Sequence, residues 1–168
     1  MNIELQIIRS GYDRKTCWVH ARPGMIPGNP GTGFITMQKL RLTGSDVFYE
    51  IHSMHSTDGG KTWSDPAPQK TLARRQVEDN IEEGVCDFWP GWHAASGMLL
   101  GTGHTVRYID DNLQPLPRKR STAYSVYDPQ NHSWSEWKRV AMPDETYFSN
   151  AGAGCTQRVD LPDGTILL

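Results

Sequence analysis

The most constraining stretch of this chain is Ser56-Thr57-Asp58-Gly59-Gly60-Lys61-Thr62-Trp63, set directly behind the apolar run Val47-Phe48-Tyr49-Glu50-Ile51. An Asp followed by two glycines specifies a tight turn, because the carboxylate bonds the backbone just ahead of it and glycine takes positive φ without strain. Thr62-Trp63 then restarts a β-prone run. The octet therefore reads as strand, turn, strand.

Cys17, Cys86 and Cys155 stand at equal intervals, and a similar train of features follows each. In the first unit, the strand-like run Cys17 to Ile26 leads through a Gly/Pro loop to a second run, Phe34 to Leu40. A third, Val47 to His55, enters the octet, and a fourth starts at Thr62. In the second unit, Cys86 to His93 turns at Ser96-Gly97 into Met98-Leu99-Leu100. The polar loop Tyr108 to Arg120 follows, then Ala123 to Tyr127, and the turn Asp128 to Ser133 enters Trp134-Ser135-Glu136-Trp137. The third unit opens at Cys155 and turns at Asp163-Gly164. Four short antiparallel strands per repeat predict an all-β fold, a β-propeller built from four-stranded antiparallel blades.

The octet also matches the Ser-x-Asp-x-Gly-x-Thr-Trp pattern of an Asp box through Ser56, Asp58, Gly60, Thr62 and Trp63, and Asp128 to Trp134 is a degenerate second copy. On these residues the chain resembles the sialidase-like, BNR-repeat β-propellers. The resemblance implies a ring of six blades, of which residues 16–70 would form the first, 85–141 the second, and a third would start near 154. The chain then reads as an N-terminal fragment, the remaining blades being its natural partner. Its first strand, Ile3 to Ile8, is expected to complete the last blade.

Within a blade whose strands are labelled A to D outward from the axis, the A-to-B and C-to-D turns share one rim. The B-to-C loops and the links between blades share the other. The Asp box is a C-to-D turn, so Asp58 is expected to cap a turn and Trp63 to pack, away from any active site. The opposite rim gathers polar residues of mixed sign: Arg22, Lys39 and Asp46 from the first unit, Asp87, Trp92, His93 and His104 from the second, and Arg158 from the third. Such a mouth suits a small anionic or sugar-like ligand. The resemblance implies a substrate carboxylate held by three arginines, an Asp as general acid/base, and a Tyr activated by a Glu as nucleophile. Arg22 falls where the first arginine is found, in an altered Arg22-Pro23-Gly24-Met25-Ile26-Pro27 context, and Asp46 falls where the acid/base stands. The other two arginines, the Tyr and the Glu are expected outside these residues.

The remaining constellations carry less. His52 and His55 lie on opposite faces of a strand, and no metal or cofactor is implied. The three cysteines suit small buried positions. Gly28 to Gly33 lacks the Lys and Ser/Thr of a phosphate loop. Asn131-His132-Ser133 is a glycosylation sequon that matters only to a secreted chain. A net charge of −2 over 168 residues argues against a nucleic-acid partner, and no apolar run approaches a membrane span. The N-terminus lacks the features of a signal peptide, leaving a cytoplasmic protein or a lost leader. Three functions stay open: a sialidase-like glycosidase, a non-catalytic glycan-binding or scaffolding propeller, and a propeller enzyme acting on a neutral sugar or uronate.

Overall fold

The computed structural model describes residues 5–153 and 158–168, so Ile3, Cys155 and Gln157 lie outside the described residues. Among those described there is no α-helix, only a 3-10 turn at Lys70–Leu72. One antiparallel sheet holds β1 (Thr16–Ile26), β2 (Thr32–Arg41), β3 (Phe48–Ser56) and β4 (Ala67–Pro68) in chain order. The larger sheet holds β5 (Arg75–Glu78), β6 (Ile81–His93), β7 (Met98–Ile109), β8 (Asn112–Leu113), β9 (Arg120–Asp128), β10 (Ser133–Trp134), β11 (Lys138–Arg139) and β12 (Asn150–Ala151). Its main path runs β10-β9-β7-β6-β5; β8 folds back on β7, β11 resumes the outer edge on β9, and β12 runs parallel to the start of β9. A final hairpin joins β13 (Val159–Asp160) to β14 (Ile166–Leu167) around Asp163 and Gly164.

Several elements differ from the sequence expectation. Residues 5–8 form no strand, and Leu5 and Ile7 are exposed. The run from Thr62 pairs on β3 only at Ala67–Pro68, because the turn preceding it holds Thr62 and Trp63 within its own hydrogen bonds. β6 begins at Ile81 rather than at Cys86, and β7 reaches Ile109 rather than ending near Leu100. These strands carry buried Glu83, Thr105 and Arg107 among their apolar residues, which blurs the alternation that marks a half-buried strand.

The two sheets pack against each other through β6, which lies across β1, β2 and β3. Phe34 and Ile51 from the first sheet meet Val85, Phe88, Leu99, Tyr127 and Trp134 from the second in one core. The aromatic rings are offset rather than stacked flat: Phe34 meets Tyr127 at 4.6 Å and Phe88 meets Trp134 at 5.0 Å, both edge to face. Gly101 is required here, since any Cβ at that position would fall inside the Phe88 ring. Polar groups stitch the same interface. The Gln38 side-chain amide, 1% exposed, donates to the carbonyls of Tyr49 (2.8 Å) on its own sheet and Val85 (3.0 Å) on the other. Thr36 donates its hydroxyl to the Phe88 carbonyl.

Glu83, directly across the strand pair from Arg107, is the second buried anchor. Its carboxylate takes Arg107 Nε at 2.8 Å and both Nε (2.9 Å) and Nη2 (2.7 Å) of Arg139, and Arg107 also reaches Glu78 at 2.7 Å. A buried ion pair contributes little net stability, but removing one member leaves the other charged and dry. Glu83→Ala, which leaves the buried Arg107 only the half-exposed Glu78 as counter-charge, is expected to cost about 3 kcal/mol. Arg139→Ala should cost much less, because Arg107 still neutralises Glu83; urea midpoints of the two variants check the order.

Candidate functional site in the cleft between β1 and β6

β1 and β6 are each bulged. His20 and Ala21 together oppose Met37 on β2, and Asp87 with Phe88 oppose Gly103 on β7. The first residue of each bulge is in the left-handed region, His20 at φ 55° and Asp87 at φ 51°. This conformation is uncommon outside glycine, though Asp and His tolerate it better than most. The bulges interrupt the alternation of each strand and bring residues from both sheets to one point.

That point is the carboxylate of Asp87, which is 6% exposed. Arg22 Nη2 donates to its Oδ1 at 2.7 Å, while His20 Nδ1 stands 3.4 Å from Oδ1 and His104 Nδ1 3.9 Å from Oδ2. The first is a charge-assisted hydrogen bond; the two imidazole approaches are too long to be hydrogen bonds. The other ring nitrogen of His104 lies 3.1 Å from Cys86 Sγ. Burial holds the His104 imidazole neutral, with the nearby Arg120 acting the same way, so its pKa falls to about 4 despite the opposing charge of Asp87.

A pocket of about 120 Å³ opens beside the pair, lined by Arg22, Pro23, Asp87, Trp89 and Thr102 among others. It adjoins a larger hollow of about 360 Å³, which shares Pro23, Trp89 and Thr102 and adds Met25, Arg158 and Asp160. The Trp89 indole spans the two strands, its N–H bonded to the Pro23 carbonyl at 2.9 Å. β1 and β6 approach closely here because Gly24 has no side chain; a Cβ would collide with the Pro90 carbonyl. In the larger hollow, Arg158 lies against Gly91, donates to the carbonyls of Leu100 and Trp92 at 3.0 Å each, and pairs with Asp160 at 2.8 Å.

Of the residues singled out from sequence, Arg22, Asp87 and His104 meet directly, and Arg158 lines the adjoining hollow. Asp46 is exposed on the β2–β3 loop, near enough for its charge to raise the proton affinity of His104. Lys39 is turned elsewhere: its ammonium sits over the Trp18 ring at 5.4 Å beside a separate hollow that includes Asp13. Trp92 is half-buried: it packs against the core and also lines the larger hollow, where its carbonyl accepts from Arg158. His93 is at the opposite end of β6, bonded to the Ser96 hydroxyl (2.7 Å) and the Gly164 carbonyl (3.1 Å). His20 was missed, since nothing in the sequence marks a bulge there. Cys86 directly precedes its bulge residue whereas Cys17 lies three residues ahead of His20, so the even spacing of the cysteines does not give them equivalent registers.

The Asp58 carboxylate is used up within its own turn. It accepts from the hydroxyls of Thr62 (2.6 Å) and Ser56 (2.9 Å) and from the backbone of Lys61 and Thr62, which hold it well below the usual carboxylate range. Trp63 donates its indole N–H to the Gly60 carbonyl. Asp128 builds the related turn with the side chain of Asn131 (2.6 Å) in place of a threonine, and so delivers Trp134 to the core. Among the described residues no group of three His, Cys, Asp or Glu could hold a metal ion, and no helix is long and apolar enough to cross a membrane.

Fold and site together define an all-β protein of packed antiparallel sheets with a charge-paired, tryptophan-walled cleft at their junction. No protein-family model matches the chain, and no curated protein matches it.

Because His104 has a folded-state pKa below its unfolded value, the unfolded chain takes up a proton first as pH falls. Its contribution to stability is intact above about pH 6.5 and is lost progressively toward pH 4, by up to roughly 3 kcal/mol. His104→Gln should flatten the acid-side slope of unfolding free energy across that window, as followed by urea denaturation at stepped pH.

Proposed function

We propose that this chain belongs to a glycoside hydrolase of the sialidase-like, propeller type, acting on sialic acid or a related sugar at the end of a glycan. The observation that carries the reading is the convergence of Arg22 and Asp87, from two different sheets, on one pocket, with Asp46 close enough for its charge to act on His104 behind Asp87. Two meander sheets, each with an aspartate-headed turn ahead of a tryptophan, support the blade arrangement that the Asp box implies. In this reading the sheets are successive blades and β1 and β6 are their innermost strands.

Chemically, Arg22 fixes a polar group of the sugar through a guanidinium already oriented by Asp87. Asp46 gives a proton to the departing glycosidic oxygen and later takes one from the incoming water. The Trp89 face offers an apolar wall to the C–H side of a sugar ring. Asp58 has no part in the chemistry, since its oxygens are occupied within the turn.

A second reading, a glycan-binding propeller without turnover, is favoured by one feature: Asp46 lies exposed on the β2–β3 loop, outside the lining of the pocket that Arg22 and Asp87 share. Assay of the complete open reading frame on a panel of aryl glycosides separates the two. Hydrolysis that drops by about 10²-fold or more in Asp46→Asn supports the catalytic reading. Activity undiminished by that change removes Asp46 from the mechanism. Sugar binding with no turnover on any glycoside selects the second reading.

A further inference from the structure

The buried cluster of Glu83 with Arg107 and Arg139 does not line the cleft, and stability does not account for it, since buried ion pairs contribute little net. Both arginines line a separate hollow of about 340 Å³, near the end of β7 and the start of β9. Glu83, 1% exposed, sits behind them and spends both carboxylate oxygens on three N–H bonds. Those bonds, with the one from Arg107 to Glu78, hold the two guanidinium planes in place. Yet Nη2 of Arg107 and Nη1 of Arg139 have no hydrogen-bond partner among the described residues. Lys119, just ahead of β9, brings a third cation to the lining, and Ser121 and Ser149 bring two hydroxyls. Val140, Met142 and Phe148 give the hollow an apolar side.

We propose that this hollow is a second ligand site, one that takes a phosphate or sulfate monoester carried on a small apolar body. It is independent of the carbohydrate reading of the cleft. Arginine forks match the oxygens of a compact oxyanion, and here they are fixed before the ligand arrives, so little side-chain entropy is lost on binding. Lys119 supplies a mobile point charge, and the two serine hydroxyls can donate to whichever terminal oxygens remain. A buried, charge-paired cluster that opens on a hollow is the arrangement expected of a site that presents charge to a ligand. The acidic residue of the lining, Glu145, is exposed, so solvent screens it. Glu83 is saturated by the arginines and has no lone pair to turn toward the hollow. The apolar side suits the body of the ester, and the room available is within the range of small-molecule sites.

The test is calorimetric titration of the chain, at neutral pH, with phenyl phosphate, phenyl sulfate and, as the uncharged control, phenol. At least one ester is expected to bind about tenfold tighter than phenol or more, and to weaken as salt is raised. Which ester binds better identifies the oxyanion. Arg139→Gln, which leaves Glu83 paired with Arg107, should weaken that binding about tenfold, the loss of one charged hydrogen bond. Lys119→Gln should weaken it about threefold. Lys119 is exposed, so its variant reports on the site without touching the buried cluster. Arg22→Gln, in the cleft, should leave it unchanged. The proposal is overturned by either of two results in the wild-type chain and its variants: no ester bound tenfold tighter than phenol, or an ester affinity unmoved by Lys119→Gln. Loss of binding in Arg22→Gln overturns it too, because the anion then sits in the cleft. None of these results bears on glycoside turnover, so the carbohydrate reading stands or falls separately.

Discussion

The interaction on which this structure depends is the seating of β6 across the first sheet. Phe88, with its ring over Gly101 and its edge against Trp134, supplies the apolar part of that contact, and Gln38 and Thr36 supply the polar part by reaching across to the carbonyls of Val85 and Phe88. Burial of this kind is non-directional and would tolerate sliding of one sheet on the other. The buried amide and hydroxyl would not, since any slip leaves them unpaired in a dry interface. Register between the sheets is thus fixed by a few polar contacts inside an apolar seam.

The cleft follows from that register. Two bulges, at His20 and at Asp87, lie on facing strands, and only because the sheets are locked do their side chains meet around Arg22. Each bulge places a non-glycine residue at positive φ, a conformation that persists only when surrounding structure enforces it. The two bulges and the buried Asp87 carboxylate coincide, which is the kind of arrangement that binding sites show more often than scaffolds do. The turns that carry Asp58 and Asp128 serve a different purpose. They consume their aspartates in local hydrogen bonds and set a tryptophan into the structure.

Much of the strand order was legible because it rests on local signals. Glycine and asparagine turns, together with apolar runs between them, place β1, β2, β3 and β9 close to where they lie. β5 was invisible, since Arg75 to Glu78 is polar on nearly every residue and is held by pairing with β6 rather than by any face of its own. β6 and β7 were read too short for a related reason: Glu83 and Arg107 look like loop residues until they are seen to neutralise each other across the strands. Within the site, Arg22, Asp87 and His104 were flagged as polar residues at strand positions. Trp92 lines the larger hollow beside Arg158, whereas His93 closes the end of β6 on Ser96 and Gly164, because strand alternation and strand length, not sequence proximity, decide which residues meet.

What the sequence alone determined is local: that the chain is made of short strands and tight turns, and that Ser56 to Trp63 closes one of those turns on itself. These are decided by residues within a few positions of one another, whose φ preferences and side-chain hydrogen bonds need no distant partner. What only the tertiary structure decided is that Arg22 finds Asp87, and that Arg158, already paired with its near neighbour Asp160, docks on the carbonyls of Trp92 and Leu100 beside the same tryptophan. Those meetings depend on two bulges and on the packing of one sheet over another, and no periodicity along the chain encodes a contact whose two halves belong to different sheets.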